Sequence, residues 1–80
     1  MVTIRLFASF RDVAGAAQLE LASVTPTTAG QIFATLARQF PAFSGLQKNV
    51  LVAINEEYAR MESPVEEGDE VAFFPPVSGG

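Results

Sequence analysis

Residues 28–39 read TAGQIFATLARQ, and apolar side chains recur there at helical spacing. Thr28 and Gln31 stand three residues apart, the spacing of a capping box, and Pro41 disfavours helical backbone in the residue before it. The polar side chains fall opposite a single apolar stripe, which consists of Ala29, Ile32, Phe33, Leu36, Ala37 and Phe40. The pattern therefore predicts one amphipathic helix over residues 28–39.

The segments on both sides of this helix predict strands. Apolar and polar residues alternate over 2–8 and 18–21, and residues 50–54 form a continuous apolar run that predicts a buried strand. A last strand is predicted over 70–74, and Tyr58 and Ala59 are expected to pair briefly. The remaining segments predict a helical turn over 9–15, a break at 25–27, a helical or irregular stretch over 43–46, and turns at 55–57 and 66–69.

One helix can cover only one face of such a sheet. The order of strand, strand, helix, strand, short strand and strand therefore predicts an α+β fold in which a mixed sheet wraps around one main helix, a β-grasp. We expect a single domain over residues 1–80, with 75–80 as an extended, flexible Gly-Gly tail.

Composition excludes several classes of chemistry. The 80 residues contain no cysteine and no histidine, which excludes disulfides, thiolate nucleophiles and zinc–thiolate sites. A net charge of −4 disfavours nucleic acid as a partner, because phosphate backbones repel an acidic domain. No segment is long enough to span a membrane and the N-terminus does not resemble a signal peptide, so we expect a cytoplasmic protein.

Two pairs of carboxylates are the first candidates for a site. Glu56–Glu57 and Glu66–Glu67 both lie in predicted turns and could serve as an acid–base pair or bind a hard metal ion. We interpret them as hydrated turns, since charged loop residues usually face water, and we expect no metal site.

The last eight residues read FFPPVSGG and end at Gly80. Pro75 and Pro76 would project the chain away from the sheet, and Val77 could anchor it in an apolar slot. The small residues Ser78 and Gly79 and the terminal Gly80 would form a thread without bulk. Its reactive group would be the terminal carboxylate, an electrophile once converted to an acyl phosphate or acyl adenylate. The alternative is a frayed end, or a Gly-Gly remnant of cloning.

Outward aromatic side chains accompany this tail. If Val71 and Phe73 face the helix, Ala72 and Phe74 face away from it; the reversed parity would put Phe74 in the core. If the first and last strands are neighbours, one apolar patch forms beside the tail, and such a patch indicates a partner interface. The patch would contain Phe7, Phe74 and Pro75, and Tyr58 could join it.

These segments resemble one known family. Residues 68–80, GDEVAFFPPVSGG, closely resemble the end of the small subunit of molybdopterin synthases. Residues 4–12, IRLFASFRD, are similar to its beginning, including Phe7 and Arg11, and residues 53–55 fit as well. The resemblance covers essentially the whole chain and implies a β-grasp sulfur carrier, related in fold to ubiquitin.

The resemblance also implies a reaction sequence. An ATP-using, ubiquitin-activating-like enzyme would adenylate Gly80, and a sulfur donor would convert it to a thiocarboxylate, a C-terminal 1-thioglycine. The tail would then enter the large synthase subunit, where its sulfur attacks cyclic pyranopterin monophosphate in molybdenum cofactor biosynthesis. The chain would be the non-catalytic, sulfur-donating subunit of a heterotetramer of two small and two large subunits, and would bind no cofactor itself.

The implied roles divide between tail and sheet. Gly80 would bear the thiocarboxylate, and the tail channel would hold Val77, Ser78 and Gly79. Arg11 would contact the activating enzyme. The interface with the large subunit would contain Phe7, Tyr58, Phe74, Pro75 and Pro76.

Three other functions remain open at this point. The chain could carry sulfur in another pathway, such as thiamine synthesis or transfer-RNA thiolation. It could be a ubiquitin-like modifier attached to target lysines. It could also be a plain interaction domain with an inert tail.

Overall fold

The computed structural model describes residues 1–22, 27–46 and 50–75. Its strands are β1 (Val2–Leu6), β2 (Gln18–Leu21), β3 (Thr27–Thr28), β4 (Leu51–Ile54), β5 (Glu57–Ala59), β6 (Pro64–Val65) and β7 (Glu70–Phe74). Its helices are α1 (Ser9–Ala14), α2 (Ala29–Gln39) and a 3₁₀ helix (Pro41–Leu46).

Five strands form a mixed sheet in the order β2-β1-β7-β4-β5. Strand β7 lies at the centre of this sheet and runs parallel to its neighbour β1, with Ile4 opposite Val71 and Leu6 opposite Phe73. The other neighbouring pairs are antiparallel. The predicted adjacency of the first and last strands is therefore confirmed, as is the α+β arrangement of a sheet with one main helix.

Helix α2 begins where the capping pattern predicts. Thr28 is its N-cap, and the Thr28 hydroxyl oxygen accepts a hydrogen bond from the Gln31 backbone N–H at 3.2 Å. The Gln31 carboxamide oxygen accepts from the Thr27 hydroxyl at 3.1 Å. The predicted stripe faces the sheet, because Ile32, Phe33 and Leu36 are buried.

Aromatic rings fill the space between α2 and the sheet. Phe33 of α2 lies 5.3 Å from Phe73 of β7 and 5.6 Å from Phe10 of α1, measured between ring centroids. Phe43, in the 3₁₀ helix, packs 5.1 Å from Phe10. This apolar cluster fixes β7 against the helix through one of its two faces.

Two local predictions were wrong, and one small sheet was not predicted. Strand β1 ends at Leu6 rather than Ala8, because Ala8 adopts φ 52° where the chain turns into α1. The run 50–54 is not buried throughout: Val52 is buried, whereas Leu51 points to the other face of the sheet and is 40% exposed. Strands β3 and β6 pair as a separate two-stranded sheet that was not predicted. The predicted break at 25–27 lies outside the described residues, except for Thr27.

Candidate protein-binding surface

Phe7 and Phe74 form a stacked aromatic pair on the face of the sheet that lies away from α2. Their ring centroids are 4.5 Å apart and their planes differ by 12°. The parallel pairing of β1 with β7 brings them together, because Leu6 lies opposite Phe73 and each phenylalanine of the pair follows directly. Such a pair contributes about 0.5–1.5 kcal/mol beyond its buried area. The stacking therefore stabilises the position of each ring relative to the other.

The alternation along β7 fixes which residues face outward. Val71 and Phe73 are 0% exposed and pack in the core, whereas Ala72 and Phe74 are only partly buried. The predicted parity is therefore confirmed and the reversed parity is wrong.

Two alanines form the floor of a groove on this outer face. Across four neighbouring strands, Arg5 lies opposite Ala72, Ala72 opposite Ala53, and Ala53 opposite Tyr58. The two short side chains between two long ones leave a depression of about 320 Å³. We call it the outer groove, and it is lined by Arg5, Phe7, Ala53, Glu56, Tyr58, Glu70, Ala72 and Phe74.

The groove has an aromatic end and an acidic end. Phe7 and Phe74 stand at one end, and the carboxylates of Glu56 and Glu70 stand at the other. Arg5 bridges them: its Nη1 lies 3.8 Å from Glu70 Oε2, and its guanidinium carbon lies 5.8 Å from the centroid of the Phe7 ring. The second distance falls within the range of a cation–π interaction.

Asn55 and Asp69 hold the acidic end in position. The Asn55 side-chain amide donates to Asp69 Oδ1 at 3.0 Å, and the Glu70 backbone N–H donates to Asn55 Oδ1 at 3.0 Å. The Glu66 backbone N–H donates to the second Asp69 oxygen at 2.8 Å. Hydrogen bonds from Glu66 and then Asn55 lower the pKa of Asp69, because both favour its ionised form. These contacts join the turn that carries Glu56 to the strand that begins with Glu70.

The structure brings together part of the predicted site. Phe7, Tyr58 and Phe74 all line the outer groove, and Pro75 follows Phe74 and is partly buried. Tyr58 is 83% exposed, so its ring is available to a partner. Arg11 is exposed on α1, 4.0 Å from Asp12, and does not line the groove. The tail residues Pro76, Val77, Ser78, Gly79 and Gly80 lie outside the described residues.

Five groove residues were not predicted as part of the binding surface, namely Arg5, Ala53, Glu56, Glu70 and Ala72. The predicted alternation already places Arg5 on the same side of its strand as Phe7, and Ala72 on the same side as Phe74. It did not identify either residue as part of a groove. Ala53 and Glu56 could not be found from this alternation, because their positions depend on the register between β4 and β7.

The predicted acidic turns are exposed, and they differ in their surroundings. Glu56 lines the outer groove, whereas Glu67 forms an ion pair with the α-amino group of Met1. Within residues 1–22, 27–46 and 50–75, no group of three or more acidic side chains is arranged to hold a metal ion. In the same part of the chain, no helix has both the length and the apolar character needed to cross a membrane.

A mixed sheet around one amphipathic helix, with an aromatic patch at the end of its last strand, defines a β-grasp protein of the ubiquitin-like class. More narrowly, the chain belongs to the ThiS family, whose family model matches residues 4–80.

The chain is similar to proteins named as sulfur carrier subunits and to a protein named as a modifier. The chain is 38% identical over 82 residues to the molybdopterin synthase sulfur carrier subunit of Haemophilus influenzae, and the match covers 100% of both chains. It is 33% identical over 79 residues to the subunit of that name from Arabidopsis thaliana, covering 99% of this chain and 82% of the relative. Among solved structures, the small archaeal modifier protein 1 of H. volcanii superposes with a TM-score of 0.83 at 28% identity, covering 95% of this chain and 97% of that one.

Proposed function

We propose that this chain is the sulfur carrier subunit of a molybdopterin synthase. An activating enzyme adenylates the Gly80 carboxylate with ATP, and a sulfur donor displaces AMP to leave a thiocarboxylate. The large subunit then receives the tail, and the sulfur attacks cyclic pyranopterin monophosphate. Hydrolysis of the resulting acyl–sulfur bond returns the ordinary carboxylate.

The observation that carries this proposal is the position of the stacked Phe7–Phe74 pair. It lies on the outer face of the sheet, and its Phe74 is the last residue of β7, directly before Pro75 in the sequence. A partner that covers these rings would also receive residues 76–80. The full-length match to relatives named as sulfur carrier subunits supports the same partner.

The carrier role also agrees with what the chain lacks. With no cysteine and no histidine in its 80 residues, this chain has no side chain suited to carrying sulfur as a thiol or persulfide. A terminal carboxylate can carry sulfur instead, and it is presented to two enzymes in turn. Activation is required because the ionised carboxylate is unreactive by itself.

Reconstitution tests this function. We expect the chain, incubated with an adenylating enzyme, ATP and a sulfur donor, to gain the mass of sulfur replacing oxygen. When it is then mixed with a molybdopterin synthase large subunit and cyclic pyranopterin monophosphate, we expect molybdopterin to form and the original mass to return. Deleting Gly80 should abolish both reactions and leave the melting temperature unchanged. Activity of the deletion variant equal to that of the intact chain would contradict the proposal.

One similarity favours a second candidate function, attachment to other proteins. The solved structure of small archaeal modifier protein 1 shares the fold and 28% of the sequence. Intact mass separates the two functions, because a modifier gains the mass of a target protein through a bond to a lysine. Thiazole formation in a thiamine system, without molybdopterin, would instead indicate a sulfur carrier of another pathway.

A further inference from the structure

The outer groove differs from a plain apolar patch because its two ends are chemically distinct. Residues two apart on a strand are separated by about 6.5–7 Å, so Phe74, Ala72 and Glu70 place a ring, a floor and a carboxylate in succession along β7. The alanine floor extends sideways to Ala53 of β4. The groove is therefore a short trough that runs from an aromatic wall to two carboxylates.

We propose that this trough binds one long cationic side chain, an arginine or a lysine, of the protein partner. Its aliphatic stem would lie on Ala53 and Ala72 beside the Phe74 ring, and its charged head would reach Glu56 and Glu70. The assignment rests on the proposed function, because it describes how the large subunit recognises this carrier.

The charges of the groove select this occupant. Two carboxylates line it against one guanidinium, and Arg5 already lies near Glu70. Glu56 is exposed in the turn that precedes β5, so an incoming cation meets a net negative end on a chain whose net charge is −4. An apolar or aromatic occupant would instead remove the Glu56 carboxylate from water without pairing it, which is costly.

The shape of the groove selects the same occupant. Arginine and lysine combine an apolar stem with a charged head, which matches an apolar floor followed by an acidic end. The guanidinium of arginine also stacks on aromatic faces, and Tyr58 stands exposed at the side of the floor opposite Arg5. An acidic side chain of the partner would be repelled, so the trough discriminates between partners as well as binding them.

Binding measurements with two variants test the proposal, using the isolated molybdopterin synthase large subunit as the probe. Glu56→Gln should weaken binding about tenfold at low salt and reduce the dependence of affinity on salt, because one charge–charge interaction is lost. Ala72→Leu should weaken binding by more than tenfold, because the larger side chain occupies the floor. Circular dichroism would establish that both variants remain folded.

Each variant has a matched control outside the groove. Glu62→Gln removes the same charge from an exposed residue next to Met61, which packs against the core on the helix side of the sheet. Ala34→Leu adds the same bulk to an exposed site on α2. Both controls should bind the large subunit with unchanged affinity.

The outcomes separate this inference from the function on which it rests. In one outcome the wild-type chain binds the large subunit, Phe74→Asp does not, and Glu56→Gln binds with normal affinity and salt dependence. That result would overturn the cationic occupant and leave the carrier function standing. Weakened binding by Ala72→Leu alone would indicate an apolar occupant and also overturn it. Failure of the wild-type chain to bind the large subunit would overturn both proposals.

Discussion

Asn55 and Asp69 show how a few side-chain contacts position the binding surface. Asn55 adopts φ 52°, a left-handed conformation that asparagine tolerates better than most residues. Its backbone N–H donates to the Glu70 carbonyl at 2.8 Å, and its side chain contacts both Asp69 and Glu70. These hydrogen bonds join the turn after β4 to the start of β7, which places Glu56 and Glu70 at the same end of the outer groove.

Asp69 should make the stability of the domain sensitive to acid. The pKa of Asp69 is lowered in the folded chain. At pH values near the folded and unfolded pKa, the unfolded chain therefore binds more protons than the folded chain, and stability rises with pH. The contribution is complete above the unfolded pKa, about 3.9, and is lost as pH falls through the lowered folded value. We therefore expect Asp69→Asn to be less stable than wild type at pH 7, with a difference that shrinks below about pH 4. Urea unfolding of both proteins at pH 7 and at several pH values below about 4 measures the difference in their free energies of unfolding. A difference that stays constant with pH would show that the charge of Asp69 contributes nothing.

The start of α2 is capped by the Thr28 side chain and is also hydrogen-bonded to the loop between β5 and β6. The Ala29 backbone N–H donates to the Ser63 carbonyl at 3.1 Å, and the Gly30 N–H donates to the Met61 carbonyl at 2.7 Å. These bonds satisfy donors that a helix N-terminus leaves without intrahelical partners. The small β3–β6 sheet lies directly beside them, so it fixes where the helix begins relative to the loop.

Gly30 is therefore a position where helix propensity and packing oppose each other. Alanine is favoured over glycine in a helix by about 1 kcal/mol, but a Cβ at Gly30 would lie 3.1 Å from the Met61 carbonyl oxygen, the same oxygen that accepts its N–H. We expect the contact to prevail and Gly30→Ala to lower the free energy of unfolding by up to about 1 kcal/mol. Ala34→Gly, at an exposed site of the same helix, measures the propensity alone. A higher melting temperature for Gly30→Ala would show that the loop moves aside.

Elements with a periodic pattern could be predicted, and features set by register could not. The spacing of Ile32, Phe33 and Leu36 is sufficient to define α2 and its buried face. Strands β3 and β6 have two residues each, too few for any periodicity to emerge. The outer groove requires Arg5, Ala72, Ala53 and Tyr58 to align across four strands. Their alignment depends on tertiary pairing. The sequence therefore indicated the aromatic end, whereas it identified Glu56 only as part of an exposed turn.

The molecule as a whole uses the two faces of β7 for different purposes. Val71 and Phe73 face the core and hold the sheet to α2, whereas Ala72 and Phe74 face outward and form part of the outer groove. Because β7 lies at the centre of the five-stranded sheet, the strand that directly precedes Pro75 is paired on both sides. Folding and partner binding therefore depend on adjacent residues of β7 that point to opposite faces of the sheet. Mutations at these residues can affect one of the two properties without the other.

The same substitution at neighbouring phenylalanines should give opposite results. Phe73 is 0% exposed and packs 5.3 Å from Phe33, so Phe73→Asp buries an unpaired carboxylate and should unfold the domain, at a cost of several kcal/mol. Phe74→Asp places its carboxylate on the outer face, where water can solvate it, and loses only the stacking with Phe7. We expect that variant to keep a cooperative thermal transition, within a few degrees of wild type, but to lose measurable binding to the large subunit, since docking would desolvate the charge against an apolar surface. Thermal circular dichroism of both variants reports whether each one folds. Calorimetric titration with the large subunit reports whether each one binds. Unfolding of Phe74→Asp would place that ring in the core, and tight binding by the folded variant would exclude the aromatic pair from the interface.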